Sequence, residues 1–86
     1  MTANQVSETR EEILSNALTA RTQEVMNYQI NIDNYALALQ HIDSLPPDEQ
    51  VELEEFTKQL RTLLASEKLE QKKAKIMLSV IEKQVG

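Results

Sequence analysis

Apolar residues recur along the first half of the chain with the period of a coiled-coil helix. Leu18, Val25, Ile32 and Leu39 form one column, and Leu14, Arg21, Tyr28, Tyr35 and Ile42 form a second. Eight of these nine positions are apolar over four heptads, which spells a helix with one buried seam. The same stretch also carries a strand-like rhythm. Tyr28, Ile30 and Ile32 alternate with Asn27, Gln29, Asn31 and Asp33. A strand there would leave its backbone groups unpaired, because no second alternating segment is present to receive them. The helix reading therefore holds, against the weak helix propensity of the asparagines and isoleucines.

One strong interruption follows, DSLPPDEQ at 43–50. Proline disfavours helix in the residue before it and suits the first helical turn. Asp48 and Glu49 then fall where carboxylates meet the positive end of the helix dipole. The expected layout is a single domain: residues 1–6 loose, a first helix over about 8–43, a turn at 44–46 and a second helix over about 47–84. Thr2-x-x-Gln5 and Thr9-x-x-Glu12 both fit a capping box. A frayed start near Ser7 to Thr9 is the preferred one.

The second helix has its own seam: Leu53, Phe56, Leu60, Leu63, Glu67, Glu70, Ala74, Met77 and Ile81. Folding the chain back at the prolines places position i of the first helix opposite about 92 minus i of the second. Arg21 then comes within a turn of Glu67 and Glu70, and the expectation is a cross-helix polar layer made by these three residues.

A hairpin of this length buries one stripe per helix, and the sequence has more than one. Met26, Ile30 and Leu37 lie off the first seam. Ile76, Met77, Leu78, Val80, Ile81 and Val85 leave only a narrow polar strip on the last part of the second helix. A helix apolar on several sides is buried on several sides. The expected fold is all-α: an antiparallel two-helix hairpin, coiled-coil-like, assembling into a four-helix bundle or a higher homo-oligomer. Met26, Ile30, Leu37, Ile76, Leu78 and Val80 are the expected oligomer or partner surface.

Charge adds direction to this rod. The 86 residues carry a net charge of −5, distributed unevenly. Between Arg21 and Lys58 there are eight acids and no Lys or Arg, while Ser66 to Lys83 holds five lysines against three glutamates. Phosphates need cations, so direct nucleic-acid binding along the acidic stretch is not expected. Asp48, Glu49, Glu52, Glu54 and Glu55 form an acidic end that could engage a basic protein or imitate nucleic-acid phosphates.

Composition narrows the chemistry further. There is no cysteine, one histidine and one glycine, the last residue. Disulfides, thiolate metal sites and Gly-rich phosphate loops are thereby excluded within one chain. His41 stands without a nucleophile partner, and the Glu-x-x-His of carboxylate-bridged bundles is missing. No cofactor and no enzymatic activity are expected. Asn27, Asn31, Asn34 and His41 make a polar strip beside the tyrosines, able to donate and accept hydrogen bonds. No apolar run reaches the roughly 20 residues of a membrane helix. The absence of cysteine suits a reducing compartment, so the expected location is cytoplasmic. The function expected is that of a small adaptor, inhibitor or assembly factor acting through exposed helix faces. Two alternatives stand beside it: an acidic nucleic-acid mimic, and an oligomer that sequesters a small polar ligand or nucleotide.

Overall fold

The computed structural model describes residues 9–85, and they form an antiparallel helical hairpin. The elements are α1 (Arg10–Asp43), α2 (Pro47–Glu52) and α3 (Glu54–Val85). Thr9 caps α1: its hydroxyl accepts the Glu12 amide at 3.1 Å, with Glu11 and Glu12 in the first turn. Thr9 of the Thr9-x-x-Glu12 candidate is thus the N-cap of α1. The Thr2 box and the expected loose segment at 1–6 lie outside the described residues.

The connection works without glycine, and among the described residues no backbone φ is positive. Ser44 remains right-handed (φ −87°, ψ −7°) and donates its amide to the His41 carbonyl at 3.1 Å. Pro46 is extended (φ −58°, ψ 151°), and Pro47 opens α2. The carbonyls left over at the end of α1 are met by Gln50, whose amide donates to Leu45 at 2.8 Å and to Asp43 at 3.2 Å. A helix end buried without such partners would be costly. Replacing Gln50 by Ala is therefore expected to lower hairpin stability by about 1 kcal/mol. In a thermal melt that corresponds to a drop of several degrees, and an unchanged midpoint would show that water serves these carbonyls equally well.

The second helix is not continuous. Leu53 (φ −98°, ψ 12°) separates α2 from α3. The short α2 spends its length crossing from one helix to the other, so α3 begins pairing with α1 only at Leu53. The register moves accordingly. Gln71 meets Val25 and Gln29, Asn31 meets Glu67, and Arg10 meets Gln84. These contacts lie about one turn beyond the alignment expected from folding at the prolines.

The α1 seam is the one its heptads spell. Ile32 and Ile42 are buried, and Leu14, Leu18, Arg21, Val25, Tyr28, Tyr35 and Leu39 are half-buried. On α3 one expected column turns inward: Leu60, Ala74 and Ile81 are buried, with Leu53 and Glu67 half-buried. The other expected column does so only at Glu70, which is half-buried. Phe56, Leu63 and Met77 are exposed, and their place is taken by Thr57, Leu64, Gln71 and Leu78. The helix is rotated by one residue from the expected face. The expected face turns two glutamates inward, and burying a carboxylate without a donor is expensive. The observed face seats the neutral Gln71 deepest among its polar residues, leaves Glu70 half-buried beside Lys73 at 2.9 Å, and gives Glu67 a donor in Asn31 at 3.0 Å. The hydroxyl of inward Thr57 is satisfied by the Leu53 carbonyl at 2.9 Å.

No side chain among the described residues falls below 2% exposure. The radius of gyration is 19.9 Å, where a compact chain of this length would give about 12 Å. One hairpin is a thin rod with a single layer of contacts and no enclosed core.

Candidate functional site

Four groups of residues follow from the sequence, and the hairpin distributes them over different faces. Met26, Ile30 and Leu37 stand on the outer side of α1, away from α3, and all three are exposed, Leu37 to 61%. Apolar residues thus lie on opposite sides of α1, one set in the seam and one in solvent. Ile76 (62% exposed) and Val80 are outward on α3. Leu78, expected with them, is instead half-buried in the hairpin seam, a consequence of the one-residue rotation of α3.

The polar strip is split in the same way. Asn27, Asn34 and His41 are exposed, and Asn31 is half-buried, occupied by Glu67. Asn27 and Asn31 border a shallow open groove with Ala20, Arg21, Gln23, Glu24 and Tyr28; Asn34 and His41 do not. At the turn end, Asp48, Glu49, Glu52, Glu54 and Glu55 are all exposed. Glu55 meets Lys58 at 3.6 Å in a solvated pair of small energetic weight. Asp48, Glu49, Glu54 and Glu55 occupy first turns of helices, where acids have a structural reason to be.

The cross-helix layer differs from expectation. Arg21 does not reach Glu67 or Glu70. It pairs within α1, with Glu24 at 2.9 Å, while Glu70 pairs with Lys73 at 2.9 Å within α3. Arg21 and Glu70 border the same groove, but each pairs within its own helix. The polar contacts that do cross the seam are made by amides. Gln71, 7% exposed, donates to the Val25 carbonyl at 3.2 Å and to the Gln29 side chain at 2.9 Å, and Asn31 donates to Glu67. Sequence reasoning missed Gln71, because an amide in a heptad column reads as a gap in the seam.

Arg21–Glu24 and Glu70–Lys73 flank one groove between the helices, together with Tyr28, Ala74 and Met77. Among the described residues no three His, Asp or Glu side chains converge as metal ligands, and no helix is long and apolar enough to cross a membrane. Apolar surface is what the hairpin offers in excess. Twelve large apolar side chains are exposed among the described residues, including Phe56, Leu63 and Met77, which the sequence assigns to the seam. Comparison with protein-family models, with curated proteins and with solved structures returned no match to this chain.

Proposed function

We propose that this chain is a non-enzymatic protein-interaction module, a small cytoplasmic adaptor, inhibitor or assembly factor that works as an oligomer. One observation carries the reading. The hairpin has no fully buried side chain, yet it exposes large apolar residues on several faces of two long helices. Exposed apolar residues that recur along one helix face, as Met26, Ile30 and Leu37 do on α1, are the kind of surface that partner proteins cover. Met26, Ile30 and Leu37 supply a stripe on the outer side of α1 with the spacing of a helix laid into an apolar groove. Four of the five acids at the turn end, Asp48, Glu49, Glu54 and Glu55, have an explanation in helix N-terminal placement, so the acidic-mimic reading ranks second.

The stripe can be tested without disturbing the fold, because surface substitutions away from special features cost within about 0.5 kcal/mol. Leu37→Glu is expected to abolish capture of the bound protein from the native host while leaving the circular dichroism spectrum and melting profile unchanged. Equal capture by the parent and by Leu37→Glu would remove α1 from the interaction.

A further inference from the structure

The two long edges of the hairpin are chemically different. One is polar: it carries the Gln29–Gln71 contact, and heptad steps along α3 bring Arg61, Lys68 and Lys75 to it. The opposite edge holds the groove of Arg21, Glu24, Tyr28, Glu70, Lys73 and Met77. Phe56 and Leu63 lie seven apart in the column of Glu70 and Met77, so they share this edge, and Val80 stands one turn from Met77. On α1 the same edge carries Ala17, Ala20 and Ala38 with Asn27 and Asn31. Small residues there permit another helix to approach closely.

We infer that this edge is covered by a second copy of the chain, packed antiparallel about a two-fold axis, α3 on α3 and α1 on α1. The inference rests on the interaction reading above and assigns it a partner and a geometry. Three observations select this occupant.

The first is area. The chain exposes 6532 Å², against about 5,200 Å² for a compact chain of its mass. The excess is larger than the about 800 Å² per partner hidden in a standard interface.

The second is charge. The turn-proximal half, residues 31–65, holds seven acids and two cations, whereas the open half, 10–30 with 66–85, holds seven cations and six acids. An antiparallel pair sets the acidic half of each copy against the slightly basic half of the other. A parallel pair would stack the two acidic halves, and like charges in register repel.

The third is that one axis serves both helices. A two-fold at the level of Ser66 and Lys68 brings Phe56 of each copy between Met77 and Val80 of the other, an aromatic ring against a thioether and a methyl pair. Leu63 then meets the stems of Glu70 and Lys73. The contacts across α3 place that axis level with Gln29 on α1. There it sets Ala20 against Ala38 and Asn27 against Asn31, small against small and amide against amide. A paired asparagine at a helix seam fixes register and partner number, which gives Asn27 and Asn31 a role.

Sedimentation equilibrium at tens of micromolar is expected to return twice the 9.8 kDa of the chain. Leu63→Glu, with unchanged helix content, is expected to weaken the dimer at least about 30-fold, as for an anchor residue, whereas Leu37→Glu leaves it intact. The chain has no cysteine, so single thiols report the geometry without perturbing the apolar edge. Ser66→Cys is expected to cross-link to itself as a disulfide under glutathione disulfide. Gln59→Cys and Lys73→Cys are expected to cross-link to each other when mixed. A monomer at these concentrations overturns the inference, and partner capture by that monomer would leave the interaction reading standing. A dimer dissociated by Leu37→Glu but not by Leu63→Glu, or one in which Ser66→Cys fails to cross-link, overturns the assigned edge and orientation.

Discussion

Leu60→Ala is expected to lower the stability of the hairpin by about 2–4 kcal/mol and its melting midpoint by more than about 10 °C. Leu60 is the most buried large side chain among the described residues, at 4% exposure. Its column faces α1 near Tyr35 to Leu39, close to the turn, where the two helices are held by their connection. A buried leucine truncated to alanine loses its transfer free energy and leaves a cavity that neighbours fill only in part. The whole chain of 86 residues is worth about 4–13 kcal/mol at ordinary stability per residue. One substitution in a single-layer contact therefore removes a large share. Melts of both proteins at one fixed concentration test it, since self-association would make the midpoint concentration-dependent. A midpoint lowered by less than about 4 °C would mean that Leu60 does not anchor the hairpin.

The contrast between Leu60 and Leu63 shows what was legible in the sequence. On α1 the nine heptad positions spell one seam, because the alternative columns hold asparagine, glutamine and charge over much of their length. Periodicity then decides the face. On α3 three adjacent columns compete. Leu53, Leu60, Glu67, Ala74 and Ile81 are common to both solutions. Apolarity favours Phe56, Leu63 and Met77 as their companions over Thr57, Leu64, Gln71 and Leu78. The hairpin takes the less apolar column, with the neutral Gln71 as its most buried polar side chain. Which polar groups meet across the seam depends on register. Register in turn depends on α2, whose break at Leu53 leaves no sequence signal beyond the prolines. A one-residue rotation and a one-turn shift were thus invisible to a reading of each helix alone.

The same rotation determines what the hairpin presents to others. Residues that read as seam, Phe56, Leu63 and Met77, are at the surface, while Leu78, which read as surface, is in the seam. The outer stripe of Met26, Ile30 and Leu37 is insensitive to the rotation because it lies on α1, directly opposite the contact with α3. Arg21, Glu67 and Glu70 were linked by a count of residues from the prolines. That count fails by one helical turn, enough to give each its own neighbour in place of a shared layer. Candidate surfaces on α1 were therefore readable from spacing, and those on α3 required the packed structure.

Gln71→Glu is expected to destabilise the hairpin by about 2–3 kcal/mol at pH 7 and to recover most of that loss in mild acid. The native amide donates to the Val25 carbonyl and to Gln29 from a site 7% exposed. A carboxylate of nearly the same shape has no proton to donate, so it would place a buried charge against a carbonyl oxygen. Its folded-state pKa would be raised by that desolvation above the unfolded value of about 4.3. The sign follows by linkage. The penalty is absent below the unfolded pKa, grows as pH rises towards the folded one, and is complete above it. The protonated acid can donate to the Val25 carbonyl as the amide does, which is why acid restores the contact. Gln71→Leu isolates the donor from the shape. The Val25 carbonyl keeps its acceptor role within α1, so leucine leaves no orphaned group and is expected to be neutral or stabilising. Chemical denaturation of the three proteins at pH 7 and near pH 4 separates these outcomes. If Gln71→Glu loses the same stability at both pH values, the side chain is wetter than its burial indicates. If Gln71→Leu is the more damaging change at pH 7, the amide contacts, rather than the apolar columns, hold α1 and α3 in register.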